Sequence, residues 1–376
     1  VMNTRFEPVL KYGESVERVA YNIDAVRVRD VTRGSASTID ALTDSTELLT
    51  INLEREAVFH ISDGEATQAG PLNPGEVIGG RIAHKVSQDL DAKCFAEVAN
   101  AANTFDEGDL TTLASTGTPI TLSSTTVPQM TSRMSAKLQY KENIQTATNM
   151  AFVVDAYSAS MIEQYLMGKD IDIAGSVFKN GYSGVVRNAQ MYVSENLLST
   201  AVMGMATNPT ADDTFSINGV TWTFKAAPST AGEIDIGANV DATRVIVANA
   251  INGSATGQDS ATGYYEVSAA DRAILDDANI LATDSPSGDT CTVTGAGRLV
   301  VTETFTDATD AWDSNVISCY FGKKGAIDLV VQDLSPVDMR KTDDRRGTNV
   351  FSSYLAGVKT FTDGGKQFLQ VLINAV

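Results

Sequence analysis

Residues 48–63, L-L-T-I-N-L-E-R-E-A-V-F-H-I-S-D, and residues 76–103, E-V-I-G-G-R-I-A-H-K-V-S-Q-D-L-D-A-K-C-F-A-E-V-A-N-A-A-N, decide how this chain reads. The first stretch alternates apolar and polar residues, as a half-buried strand does. A turn at Gly64 and the break Asn73-Pro74-Gly75 separate it from the second. There Ile78, Ile82, Val86, Leu90, Cys94 and Val98 recur every four residues. That spacing is one face of a helix with about 3.6 residues per turn, and Leu90 on that face is expected to be core. A strand that feeds one long helix, with no residue placed for chemistry, reads as a structural part.

Outward from this pair, residues 12–60 read as extended. V-R-V-R-D-V-T at 26–32 is followed by the polar segment R-G-S-A-S-T-I-D-A-L-T-D-S-T at 33–46. Two strand patterns around such an excursion predict a long hairpin with a polar tip. Beyond the long helix, residues 108–126 read as loop and short strand. Met130, Met134 and Leu138 mark a helix over 127–143, Phe152-Val153-Val154 a buried strand, and Ala156 the start of another helix. Residues 187–197, R-N-A-Q-M-Y-V-S-E-N-L, close that part.

Composition changes at about residue 205. Up to Trp312, Thr, Ala, Gly, Asp and Ser dominate, and fifteen acids face four bases, Lys225, Arg244, Arg272 and Arg298. Residues 215–224 predict a hairpin, because Asn218-Gly219 supplies the two positive-φ positions of a type I′ turn. A helix is expected over 242–252, and a second hairpin over 291–304 turning at Gly295-Ala296-Gly297. The span reads as a compact β-rich unit with one helix, inserted in its host. After Asp313 come a strand at 327–333, a charged turn at 340–347, and a closing strand pair formed by 353–361 and 366–373.

Length and charge set further bounds. A chain of 376 residues suggests two or three domains. It has 28 basic and 47 acidic residues, a net charge of −19 and a pI near 4.4. A nucleic-acid-binding surface needs clustered Lys and Arg, so that class is disfavoured. No apolar run reaches the length of about 18 residues that could cross a membrane. Three widely spaced cysteines, Cys94, Cys291 and Cys319, form no disulfide framework and fit a reducing compartment. The start, Val1-Met2-Asn3, lacks a secretory signal pattern. Val1 is no initiator, so a removed, disordered or left-out upstream segment is an expectation.

Searching for chemistry yields little. His60 and His84 lack a Cys or second His at ligand spacing and read as partly buried structural histidines. Gly322-Lys323-Lys324-Gly325 lacks the earlier glycine and the Ser/Thr of a phosphate loop. Gly181-Tyr182-Ser183-Gly184 has the wrong spacing for a nucleophile elbow. Asp307, Asp310 and Asp313 can gather calcium by spacing, but they lack the EF-hand order and read as a solvated acidic loop. Asn252-Gly253-Ser254 fits a glycosylation sequon of a kind that arises by chance. The run Arg340–Arg346 either meets a neighbour's carboxylates or DNA, or is a solvated turn. No catalytic residue, cofactor site or metal site is assigned.

In succession these segments resemble one family, the major capsid proteins of tailed bacteriophages with the Hong-Kong-97-like fold. In that family a strand ending F-x-[IV]-x-D, here Phe59-His60-Ile61-Ser62-Asp63, leads into the spine helix. Phe152-Val153-Val154-Asp155 is similar to the family's W-x-V-V-D-P strand, with Ala156 in place of proline. Met191-Tyr192-Val193-Ser194-Glu195-Asn196-Leu197 is similar to its V-Y-x-S-N-x-L strand. The module at 215–224 resembles surface additions of phage structural proteins.

The resemblance implies an α+β fold with an extended loop, a peripheral domain carrying the spine helix, an axial domain and an inserted β-rich domain. The implied boundaries are 1–64 for the N-terminal segment and extended-loop hairpin, 65–112 for the peripheral domain and 113–204 for the axial domain. The insertion takes 205–312, the axial domain continues over 313–346, and 347–376 gives closing peripheral strands. The implied function is a coat protein that assembles through hexamers and pentamers into an icosahedral head around double-stranded DNA. Implied partners are copies of itself and scaffolding, portal and decoration proteins, and the implied location is the virion, assembled in host cytoplasm. A tail-tube or adhesin-like component and an encapsulin-like shell are the alternatives. Some members cross-link subunits through a lysine in the extended loop. Residues 27–49 hold Arg27, Arg29 and Arg33 but no lysine. Arginine stays protonated and cannot be the amine nucleophile, so no such cross-link is expected.

Overall fold

A computed structural model describes residues 2–8, 13–21, 26–30, 33–34, 36, 39–40, 44–68, 74–142, 149–167, 185–186, 189–341 and 346–375. In chain order the elements begin with strands β1 (Ser15–Tyr21), β2 (Asp44–Thr50) and β3 (Leu53–Ser62), then helices α1 (Asp63–Gln68) and α2 (Pro74–Ala96). Strand β4 (Asn103–Phe105), helix α3 (Thr126–Glu142), strand β5 (Met150–Val154) and helix α4 (Ala156–Met167) follow. Next come β6 (Val185–Val186), β7 (Ala189–Val193), β8 (Leu198–Gly204), β9 (Thr214–Ile217), β10 (Val220–Lys225) and β11 (Glu233–Asp235). Helices α5 (Val240–Asn252) and α6 (Ala269–Asp277) precede β12 (Leu281–Ser285), β13 (Thr290–Ala296) and β14 (Val301–Glu303). The chain ends with β15 (Ala311–Lys323), β16 (Asp328–Lys341), β17 (Gly347–Lys359), the short helix α7 (Thr362–Gly365) and β18 (Phe368–Asn374). Two compact units result: residues 1–90 with 324–367, and residues 91–323 with 368–376.

In the first unit β1 and β2 pair antiparallel, Ser15 opposite Thr50 and Tyr21 opposite Asp44. The expected hairpin therefore forms; residues 22–25, 31–32, 35, 37–38 and 41–43 of its far end lie outside the described residues. The strand expected over 48–61 is instead two, interrupted at Ile51-Asn52. Chain crossing explains the break. The Ile51 N–H donates to Glu14 O at 2.8 Å, and a Cβ on Gly357 would stand 2.5 Å from Thr50 O, so only glycine admits the crossing. Beyond it, β3 joins a three-stranded antiparallel sheet of order β16-β17-β3.

Helix α2 lies on that sheet. Val86, Tyr354 and Ala356 are buried, with Ile82, Leu90, Leu53, Ala57, Leu329 and Val331 packed around them. The helical face read from the sequence is thus the contacting face, but Leu90 is only half-buried and the centre is Val86. A polar trio explains the shift: the Tyr354 hydroxyl donates to Asp89 Oδ2 at 2.7 Å, and Arg55 holds both Asp89 oxygens at 3.2 Å. Those groups keep that end of the contact near water. The helix also stops earlier than residue 103, tightening into a 3-10 turn at Glu97–Asn100 before Ala101 turns extended.

The second unit is built on a nine-stranded sheet. Its main path runs β12-β13-β8-β15-β5-β7-β6, and β18 joins β15 and β4 off that path. Helix α3 covers 126–142 as expected and buries Met130, Met134 and Leu138 completely. Strand β5 is buried at all five positions, a fully covered central strand. Residues 353–361 and 366–373 do not pair with each other. Strand β17 lies between β16 and β3, while β18 runs along β15. Phe368, Leu369, Val371 and Ile373 are all fully buried, so β18 needs a sheet interior that a two-stranded closure could not supply.

A four-stranded sheet, β11-β10-β9-β14, packs its Phe215, Trp222 and Phe224 face into one core with Met203, Val247, Ile251 and Val293. The turn between β9 and β10 is the expected one, with Asn218 at φ 52° and Gly219 at φ 85°. The second expected hairpin does not form, because β13 pairs with β12 and β8 whereas β14 pairs with β9 in the other sheet. Between them the Gly297 N–H donates to Leu197 O at 2.7 Å and Asn315 Nδ2 to Leu299 O at 2.8 Å, burying Leu299. Residues 205–312 also hold two helices rather than one. Ser268 caps α6 by accepting the Asp271 N–H. Through β13 the span shares a sheet with the residues before and after it.

These contacts rank two residues of α2. Val86→Ala removes two fully covered methyl groups and is expected to cost about 2 kcal/mol. Leu90→Ala, half-exposed, is expected to cost about 1 kcal/mol, below the range of roughly 2–5 for a core leucine. Urea titrations of the soluble subunit measure both, and a Leu90→Ala loss exceeding that of Val86→Ala contradicts the placement.

Candidate functional site

The residues singled out for chemistry are scattered. His60, half-buried on β3, pairs with Asn349 across the strands, Nδ1 to Oδ1 at 2.7 Å, while His84 is exposed on α2 and is not the partly buried residue expected. Gly322 and Lys323 are the last residues of β15, paired with Ala151 and Met150. Asn252 has its amide on the backbone of Ala282, donating to its O at 2.8 Å and accepting from its N–H at 2.7 Å. It caps the open edge of β12 as a further strand would. Residues 181–184 lie outside the described residues, as do 342–345 of the charged turn, which joins β16 to β17.

The three aspartates do not converge. Asp310 is buried and accepts from the Ala206 N–H at 2.8 Å and the Thr207 N–H at 3.1 Å, so it is a structural clamp rather than a solvated loop residue. Asp307 accepts from the Thr309 N–H and hydroxyl, which hold its carboxyl below the usual carboxylate range. Asp313 is exposed beside Gly204. Among the described residues no three His, Cys, Asp or Glu side chains gather as a metal site. All three cysteines are free and buried, and burial pushes the Cys94 and Cys291 thiols up to about 12.

What the second unit does concentrate is buried charge. Lys137 Nζ lies 2.5 Å from Asp109 Oδ2 with both side chains buried, and it also donates to Thr104 O and, at 2.7 Å, to Ser115 Oγ. Three acceptors satisfy the ammonium. Next to it, Asp106 gathers the N–H groups of Gly108, Thr116 and Gly117 and fixes the 108–117 loop. Asp155, at the end of β5, takes Arg298 at 3.1 Å, and Arg298 also donates to Ala375 O and lies 4.3 Å over the Tyr157 ring. Arg244 is fully buried, pairs with Asp241 of its own helix and ties α5 to Asp284 and Asp289. With Lys225 on Asp212 and Arg272 on Glu266, every base of the 205–312 span is paired with an acid. The sequence pattern hid Lys137, since a lysine between Met134 and Leu138 on a helix reads as exposed.

At the far end of the β1–β2 hairpin the described residues are of another kind. Arg29 grips Asp40 with two bonds, at 2.9 and 2.5 Å, and the Arg27 N–H donates to Asp40 Oδ2 at 2.8 Å. These bonds depress the Asp40 carboxyl, Arg29 first. Around this clasp Val26, Val28 and Ile39 stand exposed, Val28 fully.

No sequence-family model matches the chain, and no curated protein does. Solved structures do match. A chain from Mycobacterium phage Che8 aligns over 100% of this chain and 89% of its own length, with a TM-score of 0.51 and 13% identity. The acid-stable capsid of Helicobacter pylori bacteriophage KHP30 aligns over 99% and 87%, with a TM-score of 0.49 and 10% identity. The capsid of cyanophage P-SCSP1u aligns over 95% and 83%, with a TM-score of 0.48 and 9% identity. The Che8 likeness runs the whole length of the chain and shows the fold, the Hong-Kong-97-like one that the succession of segments implied.

The buried pair gives a direct check. Lys137→Met is expected to cost about 3–5 kcal/mol, because it leaves the Asp109 carboxylate buried without its cation. Adding Asp109→Asn removes the stranded charge and is expected to restore a large part. Denaturant titration of both variants measures this. Equal stability of the single and double variants contradicts a coupled pair.

Proposed function

We propose that this chain is the major capsid protein of a tailed bacteriophage, assembling through hexamers and pentamers into an icosahedral head that encloses double-stranded DNA. The observation that carries the reading is the likeness in fold over the whole chain to the Mycobacterium phage Che8 chain. Three features support it. The chain extends an arm with exposed apolar residues, as a subunit completed by its neighbours does. Its charged groups build structure rather than a reaction site. Its net charge of −19 keeps a dense shell from adhering to the DNA within. Residues 205–312 are read as an addition on the outer face, with scaffolding, portal and decoration proteins as further partners. The role is structural, within the virion, and assembly takes place in host cytoplasm. With no lysine over residues 27–49, subunits are held by noncovalent contacts, many weak interfaces summed over a closed shell.

Negative-stain microscopy of the expressed protein tests the reading. Closed shells of uniform size are expected, with the 205–312 span as outward density. Tubes point to a tail component, and a monodisperse monomer at high concentration contradicts the reading. Boiled, reduced shells run on a denaturing gel are expected to give one band near 39.9 kDa. A ladder of covalent oligomers contradicts the noncovalent account.

A further inference from the structure

Strand β12 ends the main path of the nine-stranded sheet, with Ala282 opposite Val293 of β13. In an antiparallel ladder every second residue turns its N–H and C=O away from the partner strand. On this edge Ile280, Ala282 and Asp284 are the residues so turned. The Ile280 N–H donates to Leu275 O at 3.0 Å. Both groups of Ala282 are taken by the Asn252 side chain, at 2.8 and 2.7 Å. The Asp284 carboxylate is held by Arg244 at 3.1 Å. Other edges in residues 205–312 are closed by other means. The Asp235 N–H donates to Gly263 O at 2.7 Å and the Tyr265 N–H to Glu233 O at 2.9 Å, so backbone covers β11. On β14 the Trp312 Nε1 donates to Thr302 O at 3.2 Å. Asn252 differs from these in meeting a donor and an acceptor of one residue with a single side chain. Its amide carries a carbonyl and an N–H as a peptide group does, so it offers Ala282 what a residue of a further strand would offer.

We propose that the β12 edge is a latent interface for β12 of a second copy, and that Asn252 holds it shut. The occupant follows from the register. Two β12 strands set antiparallel about a twofold axis at Ala282 place Ala282 opposite Ala282, Leu281 opposite Thr283 and Ile280 opposite Asp284. The two Ala282 residues then exchange the same pair of bonds that Asn252 now makes. No like charges meet in this register, and Asp284, the one charged residue of the strand, is already paired with Arg244. Leu281, 58% exposed, gains cover from the facing Thr283. Self-complementary pairing of this kind is what an exposed strand edge invites unless something blocks it. The net charge of −19 is no sufficient block, since salt screens repulsion beyond about 8 Å.

Removing the amide tests this in the full chain, with free subunits followed by sedimentation velocity and circular dichroism. Asn252→Ala is expected to keep the fold and to dimerise with a Kd at least about tenfold below that of the original protein. In the dimer the Ala282 amide is expected to be protected from hydrogen exchange. Adding Ala282→Pro removes that N–H at an edge position where proline is tolerated, and it is expected to return the protein to the original Kd. A folded Asn252→Ala protein that dimerises no more tightly than the original overturns the proposal. So does a dimer that survives Ala282→Pro or leaves the Ala282 amide unprotected. Loss of the fold in Asn252→Ala also overturns it, because the amide then serves the fold of the single subunit rather than holding an interface shut.

Discussion

Strand β15 is the constraint on which the second unit depends. Over its 13 residues it pairs with β8 from Ala311 to Ile317, with β5 from Tyr320 to Lys323 and with β18 from Val316 to Gly322. Residues 316–317 bond to both β8 and β18, and residues 320–322 to both β5 and β18, so β18 flanks one side while β8 gives way to β5 on the other. A backbone buried this deeply must find partners for every polar group, and β15 finds them in three segments that lie far apart in the chain. Its own Ile317, Cys319, Tyr320 and Phe321 are wholly buried. Pairing of such distant segments is slow to form.

Charge inside the fold does a second job. Asp109 with Lys137, Asp155 with Arg298 and Arg244 with Asp284 and Asp289 each join segments that hydrophobic packing alone could join in several ways. Burying ions offers little net stability, since desolvation offsets most of the attraction. Removing one partner is another matter, because the remaining charge is stranded. Arg298 belongs to the 205–312 span, yet its carboxylate partner lies at the end of β5 and its carbonyl partner near the C-terminus. That span is thereby tied to the rest of the second unit by a specific charge as well as by the β13–β8 ladder.

Local pattern in the sequence revealed the elements better than their partners. The four-residue step from Ile78 to Val98 marked the long helix, Met130, Met134 and Leu138 marked α3, and Asn218-Gly219 marked a turn that only positive-φ residues form. Each is a local signal. Pairing is not local, so Cys291–Thr304 read as one hairpin although its halves enter different sheets. The closing strands failed for the same reason, since alternation in 353–361 and 366–373 cannot say which sheet each joins. The break at Ile51-Asn52 depends on Gly357, some three hundred residues away. Of the candidate surfaces, the polar tip of the hairpin was legible; the closure of the β12 edge by Asn252 needed the sheet register.

On the reading proposed above, the free subunit is folded around β15 and the exposed end of the β1–β2 hairpin becomes covered on assembly. Amide hydrogen exchange, followed peptide by peptide in free subunits and in assembled particles, tests this most directly. The account predicts that β15 is among the slowest segments in both states. It also predicts that residues 26–30 and 39–40 exchange fast in the free subunit and become protected on assembly. Equal exchange of residues 26–30 and 39–40 in the two states, or fast exchange of β15 in the free subunit, would contradict it.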